Sequence, residues 1–175
     1  MSQRFALHKL SMVAAIGAAL AFAQAPAPQP AAPAPASLTI TGDIAAPLTL
    51  KAEDLAAMPR EKGTVKEQDG TTVEYEGVNL REVLKRAGAP LGNQLRGKAL
   101  ASYIVAKAHD GYQVVFTLGE IDAAFGNEQI LVADKIDGKP LFGYQGPLRL
   151  TIPADKAGAR SVRMLESIEV VRLLK

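Results

Sequence analysis

Apolar positions along the chain recur in short clusters, and alternation with polar residues predicts strands more often than helices. Leu38-Thr39-Ile40-Thr41-Gly42 and Leu48-Thr49-Leu50 read as two strands around a turn at Pro47. A helical turn follows over Ala52 to Met58, and Pro59 ends it. Thr64 to Glu67 and Thr71 to Tyr75 read as a hairpin, because Asp69-Gly70 favours the twist of a tight turn. Leu80, Val83, Leu84 and Ala87 recur at helical spacing, and Gly88 with Pro90 stops that helix.

Farther on, SYIVAKA and YQVVFT predict two strands around the turn His109-Asp110-Gly111. Thr117-Leu118-Gly119-Glu120 fits a capping box, in which hydroxyl and carboxylate satisfy free amides at a helix start; the helix should end near Gly126. Gln129 to Asp134, Leu148 to Ile152 and Ile168 to Leu173 are the remaining strands, and Asp137-Gly138 is a turn. Short helices scattered irregularly among hairpins point to an α+β fold rather than a doubly wound parallel sheet. The expected core is Tyr103, Ile104, Val105, Val114, Val115, Phe116, Ile130, Leu131, Val132, Leu148, Leu150, Ile152, Val170 and Val171, with Leu84 packing from its helix.

The first residues follow a different pattern. Arg4, His8 and Lys9 precede an uncharged apolar run from Leu10 to Phe22, and Ala21-Phe22-Ala23 supplies small residues for cleavage, so residues 1–23 read as a signal peptide. The run is too short to cross a bilayer as a helix, and no membrane span is expected after cleavage. Residues 24–36, QAPAPQPAAPAPA, form a Pro/Ala-rich extended linker, and residues 37–175 make one domain of ordinary size. The expected location is periplasmic or secreted.

Cleavage changes the charge picture. Arg4 and Lys9 are the only ionised residues in the signal, so the formal charge of +2 disappears with them. A neutral remainder gives no warrant for nucleic-acid binding. The chain has no cysteine, so its core must hold the domain without disulfides, and no thiolate can attack a substrate or ligate a metal.

GxSxG, HExxH, Walker A and GxGxxG motifs are all absent, which excludes the ordinary hydrolase, zincin and nucleotide-binding readings. His109 is the only imidazole after the signal; it could act as a base, but a turn histidine beside Asp110 is commonly a solvated turn residue. The last third concentrates glycines and cations: Gly143-Tyr144-Gln145-Gly146-Pro147-Leu148-Arg149, then Arg160-Ser161-Val162-Arg163. Guanidinium groups and a serine hydroxyl suit an oxyanion, although glycines also shape turns and arginines also cover strand edges.

LKAEDLAAMP, YEGVNLREVLKRAG, AHDGYQVVFTLGEI, LVADKIDGKPLFGYQGPLRLTIP and ARSVRMLESIEVV occur in that order. Together they resemble the molybdopterin-binding domain of the sulfite-oxidase type, including its small exported bacterial members. The resemblance implies a mixed, β-rich, sheet or barrel-like α+β domain that cradles the pterin of a molybdenum cofactor. The family's binding segments map onto His109, Asp110, Gly111 and Tyr112, onto Gly146, Pro147 and Arg149, and onto Arg160, Ser161 and Arg163. Family enzymes hold molybdenum through one cysteine near the hairpin that here reads Val65-Lys66-Glu67-Gln68-Asp69-Gly70, which offers only carboxylate oxygens. Three functions are therefore expected in competition: a non-catalytic module for a pterin-like or other small anion, an envelope protein-interaction module, and a molybdopterin-dependent oxidoreductase without a cysteine ligand.

Overall fold

The computed structural model describes residues 36–67 and 69–173. The expected signal peptide and, apart from Ala36, the linker lie outside the described residues. In chain order the elements are β1 (Ser37–Gly42), β2 (Leu48–Lys51), α1 (Ala52–Ala56), β3 (Arg60–Lys66), β4 (Thr72–Asn79), α2 (Leu80–Arg86), β5 (Ser102–Ala108), β6 (Gln113–Thr117), α3 (Leu118–Ile121), β7 (Leu131–Ile136), β8 (Lys139–Pro140), β9 (Arg149–Thr151) and β10 (Leu165–Arg172). Single 3₁₀ turns at Gly92–Gln94, Gly97–Ala101, Gly143–Gln145 and Gly158–Arg160 complete the chain.

The strands form two sheets. One has the order β2-β1-β10-β5-β6, with β1 parallel to β10 and every other pair antiparallel. The other runs β3-β4-β7, with β8 and β9 sharing the far edge of β7. This is the expected α+β class, rich in strand and poor in helix. The inward residues of both sheets, among them Leu38, Ile40, Ile104, Ile168, Val78, Val132 and Leu150, meet α2 through Leu80, Val83 and Leu84 in one core.

Local chemistry explains most boundaries. Asp69 accepts from Thr71 N at 2.9 Å and Gly70 takes φ +86°, closing the β3–β4 hairpin as its turn pair predicts. Asn79 caps α2 by accepting from Arg81 N at 3.0 Å. The Thr117 capping box forms, but α3 stops at Ile121, five residues before Gly126. Asp122 ends it: the residue is buried, and its carboxylate is committed to the amides of Ala124 and Gly92. At Gly77 a Cβ would lie 2.1 Å from the Val132 carbonyl oxygen, so the close β4–β7 approach requires glycine there.

Val115 corrects the expected core: it is 55% exposed. Tyr103, Val105, Val114 and Val171 are only partly buried. Each strand of the first sheet turns only alternate residues inward, so a continuous apolar run there is split between two faces.

The far face of the second sheet carries a smaller cluster of Val65, Tyr75, Ala133 and Leu141. Arg149 pairs with Ala133 across β9 and β7 and therefore points to the same side. That places a cation in a largely apolar layer.

Candidate anion site

The β5–β6 turn and the loop between β9 and β10 are tied together by backbone and phenol contacts. His109 N donates to Met164 O at 2.9 Å, and Tyr112 Oη donates to Ala159 O. Asp110 braces its own turn by accepting from Tyr112 N at 3.0 Å. Between the two segments lies a cleft of about 350 Å³ lined by Asp110, Tyr112, Ala157, Gly158, Ser161 and Arg163 among others. Arg163 stands 5.3 Å over the Tyr144 ring, and among the described residues no carboxylate pairs with it.

The sequence-predicted residues thus separate into groups. Asp110, Tyr112, Ser161 and Arg163 meet at the cleft. His109 and Gly111 shape the turn beside it; His109 is mostly exposed and reaches only Glu166, at 3.7 Å. Gly146 and Pro147 shape the loop before β9, joined by a cis peptide bond, and a Cβ on Gly146 would come within 2.6 Å of the Leu141 backbone.

Arg160 faces elsewhere. Its guanidinium makes a fork with Asp155, at 2.9 and 2.6 Å, and also reaches Glu120 at 3.0 Å and Glu128 at 2.9 Å. The Asp155 hydrogen bonds, followed by the charge of Glu128, hold its proton even more firmly than usual. Three carboxylates leave this arginine little capacity for a ligand, and it anchors the loop that forms the cleft wall.

Arg149 is only 2% exposed and lies 4.7 Å over the Tyr75 ring. One nitrogen donates to Tyr75 Oη and, at 2.7 Å, to Gln145 Oε1, while the other is 3.4 Å from Glu67 Oε1. Tyr75 Oη in turn donates to Glu67 Oε1 at 2.7 Å. Burial pushes the Tyr75 phenol well above its ordinary pKa, the Glu67 hydrogen bond adds to the rise, and the charges of Arg149 and Arg163 oppose it. Sequence reasoning missed Tyr75, Gln145 and the 157–159 wall. The signal for Tyr75 was its alternation with Val73 on one face of the hairpin strand, where a buried phenol demands a polar partner.

This arrangement, two sheets with a cleft formed by the β5–β6 turn and the loop after β9, is that of a molybdopterin-domain class of fold. The chain belongs to that family: residues 24–173 match the family model described as the oxidoreductase molybdopterin binding domain. Among solved structures, the sulfane dehydrogenase SoxCD from Paracoccus pantotrophus superposes with a TM-score of 0.61 at 20% identity, covering 78% of this chain and 38% of that one. No protein of curated function matches the sequence significantly.

The residues present fit one half of the cofactor that the family implies. Arg163 and Ser161 offer an oxyanion on a small organic body their donors in the cleft, which they share with the Asp110 carboxylate, while the Tyr112 hydroxyl is already given to Ala159 O. The metal half lacks its thiolate: the chain contains no cysteine, and among the described residues no group of three His, Asp or Glu side chains is placed to hold a metal ion. Glu67 is committed to Tyr75 and Arg149, and Asp69 to Thr71.

Proposed function

We propose that this chain is an exported, non-catalytic binding domain that holds a small anionic, pterin-like ligand in the cleft between the β5–β6 turn and residues 157–163. The observation that carries this reading is Arg163, a cation at the cleft with no carboxylate partner among the described residues, beside the Ser161 hydroxyl. Membership of the molybdopterin-binding family supports an organic anion as the ligand. The missing cysteine thiolate argues for binding without the redox chemistry of a molybdenum centre.

The protein purified from its own host should release a pterin or bind a pterin phosphate by calorimetry, without stoichiometric molybdenum. Arg163→Ala should weaken that binding about tenfold to a hundredfold, the value of one charge-assisted contact. Unchanged affinity in Arg163→Ala would remove the cleft from the reading, and stoichiometric molybdenum would return the chain to the oxidoreductases.

A second reading, an envelope protein partner, is favoured by Phe142 and Tyr144, which are 75% and 65% exposed next to the cleft. Phe142→Ser with Tyr144→Ser should then abolish capture of one specific envelope protein while leaving pterin binding intact.

A further inference from the structure

The free edge of the first sheet is unlike the other strand edges among the described residues. β6 closes that sheet on one side, and the β5–β6 register fixes which of its backbone groups are spent. Ala108 N donates to Tyr112 O at 2.9 Å, so hydrogen-bonded pairs recur at every second residue, Ala106 with Val114 and Ile104 with Phe116. Gln113, Val115 and Thr117 therefore turn their amides and carbonyls away from β5. Thr117 agrees with this assignment, because its amide donates to Glu120 Oε2 at 2.7 Å. Among the described residues, nothing pairs with the outward backbone groups of Gln113 or Val115.

The other edges are blunted. β3 carries Arg60, Glu61, Lys62 and Lys66, β2 is short and ends in Lys51, and β8 has two residues, one of them Pro140. β9 is covered by Val162, which exchanges backbone hydrogen bonds with Leu150 at 2.8 and 3.0 Å. β6 reads Gln-Val-Val-Phe-Thr, with no charge, no proline and no break in register. Its outward Val115 is 55% exposed, beside its partly buried cross-strand neighbour Val105. An exposed apolar side chain on an edge with unpaired peptide groups is a template for one more strand.

We propose that β6 is a self-association edge: it pairs antiparallel with β6 of a second copy across a twofold axis at Val115, so that the two first sheets become one continuous sheet. In that register Val115 faces Val115 of the second copy, and the two exchange a pair of backbone hydrogen bonds. Each Gln113 N then donates to Thr117 O of the other copy. The composition of the edge favours a copy of itself as the occupant. Valine meets valine, glutamine lies beside threonine, and no like charges face each other along the strand. The two Glu120 carboxylates fall at opposite ends of the seam, each held by its own Arg160 at 3.0 Å.

The test is sedimentation equilibrium of the purified chain. A seam of one short strand a side is smaller than a standard interface, so the dimer should be weak and form at about 10–100 µM. The weight-average mass should rise from one chain towards two as the concentration goes from about 5 to about 500 µM. Val115→Lys changes an exposed side chain outside the core and sets lysine against lysine, so it should weaken the dimer at least about tenfold. Thr49→Lys, at an exposed position on the opposite edge strand β2, should alter it by less than about twofold. In the dimer the Gln113 and Val115 amides should also gain protection against hydrogen exchange that they lack in dilute solution. A mass of one chain at every concentration overturns the proposal and leaves the edge to a different protein. A dimer that Val115→Lys leaves intact, that Thr49→Lys weakens equally, or that leaves both amides unprotected also overturns it, because another face then holds the copies together.

Discussion

Arg160→Met isolates the part of the site that is architecture rather than ligand contact. The substitution keeps an unbranched apolar stem against Phe116, over whose ring the guanidinium lies at 5.2 Å, and removes four hydrogen bonds to Asp155, Glu120 and Glu128. Fully buried, charge-assisted bonds of this kind are worth about 1.5–3 kcal/mol each. The Arg160 side chain is 34% exposed, so screening discounts them toward the ~0.2–1 kcal/mol of a surface pair.

Three ion pairs at the upper end of that range contribute about 3 kcal/mol, and the carboxylates left facing one another add repulsion. The expected loss is about 2–4 kcal/mol, which with a urea slope near ~2 kcal/mol/M lowers the unfolding midpoint by about 1–2 M. Far-ultraviolet circular dichroism is the suitable probe, because the chain has no tryptophan. A midpoint shift below about 0.25 M would refute the assignment of Arg160 as the anchor of the cleft loop and free it for a ligand role.

Two other perturbations probe the scaffold. Leu84 is fully buried on the core face of α2, so Leu84→Ala should cost about 2–5 kcal/mol; equal urea midpoints for variant and parent would contradict its placement. Glu76 is held below its ordinary value of 4.5, first by the Lys135 hydrogen bond and then by Arg60. The folded state therefore binds that proton less readily than the unfolded chain. The stabilisation is present above the unfolded value and is lost as pH falls through the lowered folded value. Glu76→Gln should flatten the fall in stability below about pH 4.5, and identical acid profiles for the two proteins would remove the argument.

Much of the fold was legible because its determinants are local. Asp69-Gly70 sets a hairpin wherever two strands flank it, the Thr117–Glu120 box opens a helix by itself, and the heptad-like spacing of Leu80, Val83 and Leu84 needs only one apolar neighbour. The errors came where distant partners decide. Val115 lies in an apolar run but on the outward face of edge strand β6, and α3 ends early because Asp122 is claimed by Gly92, thirty residues away in sequence. The absence of cysteine also narrowed the function before any coordinate was known, by excluding thiolate chemistry.

The site was legible only as an inventory. Arg149, Arg160 and Arg163 are indistinguishable as cations in the sequence, yet one is buried on a phenol, one is held by three carboxylates and one stands at a cleft. Residue type alone determined that oxyanion-binding groups exist in this chain and that no cysteine thiolate does. Which of those groups can meet a ligand was decided by the tertiary structure, because a guanidinium's availability depends on carboxylates brought beside it from 5 to 82 positions away: Asp155, Glu120 and Glu128 at Arg160, and Glu67 at Arg149.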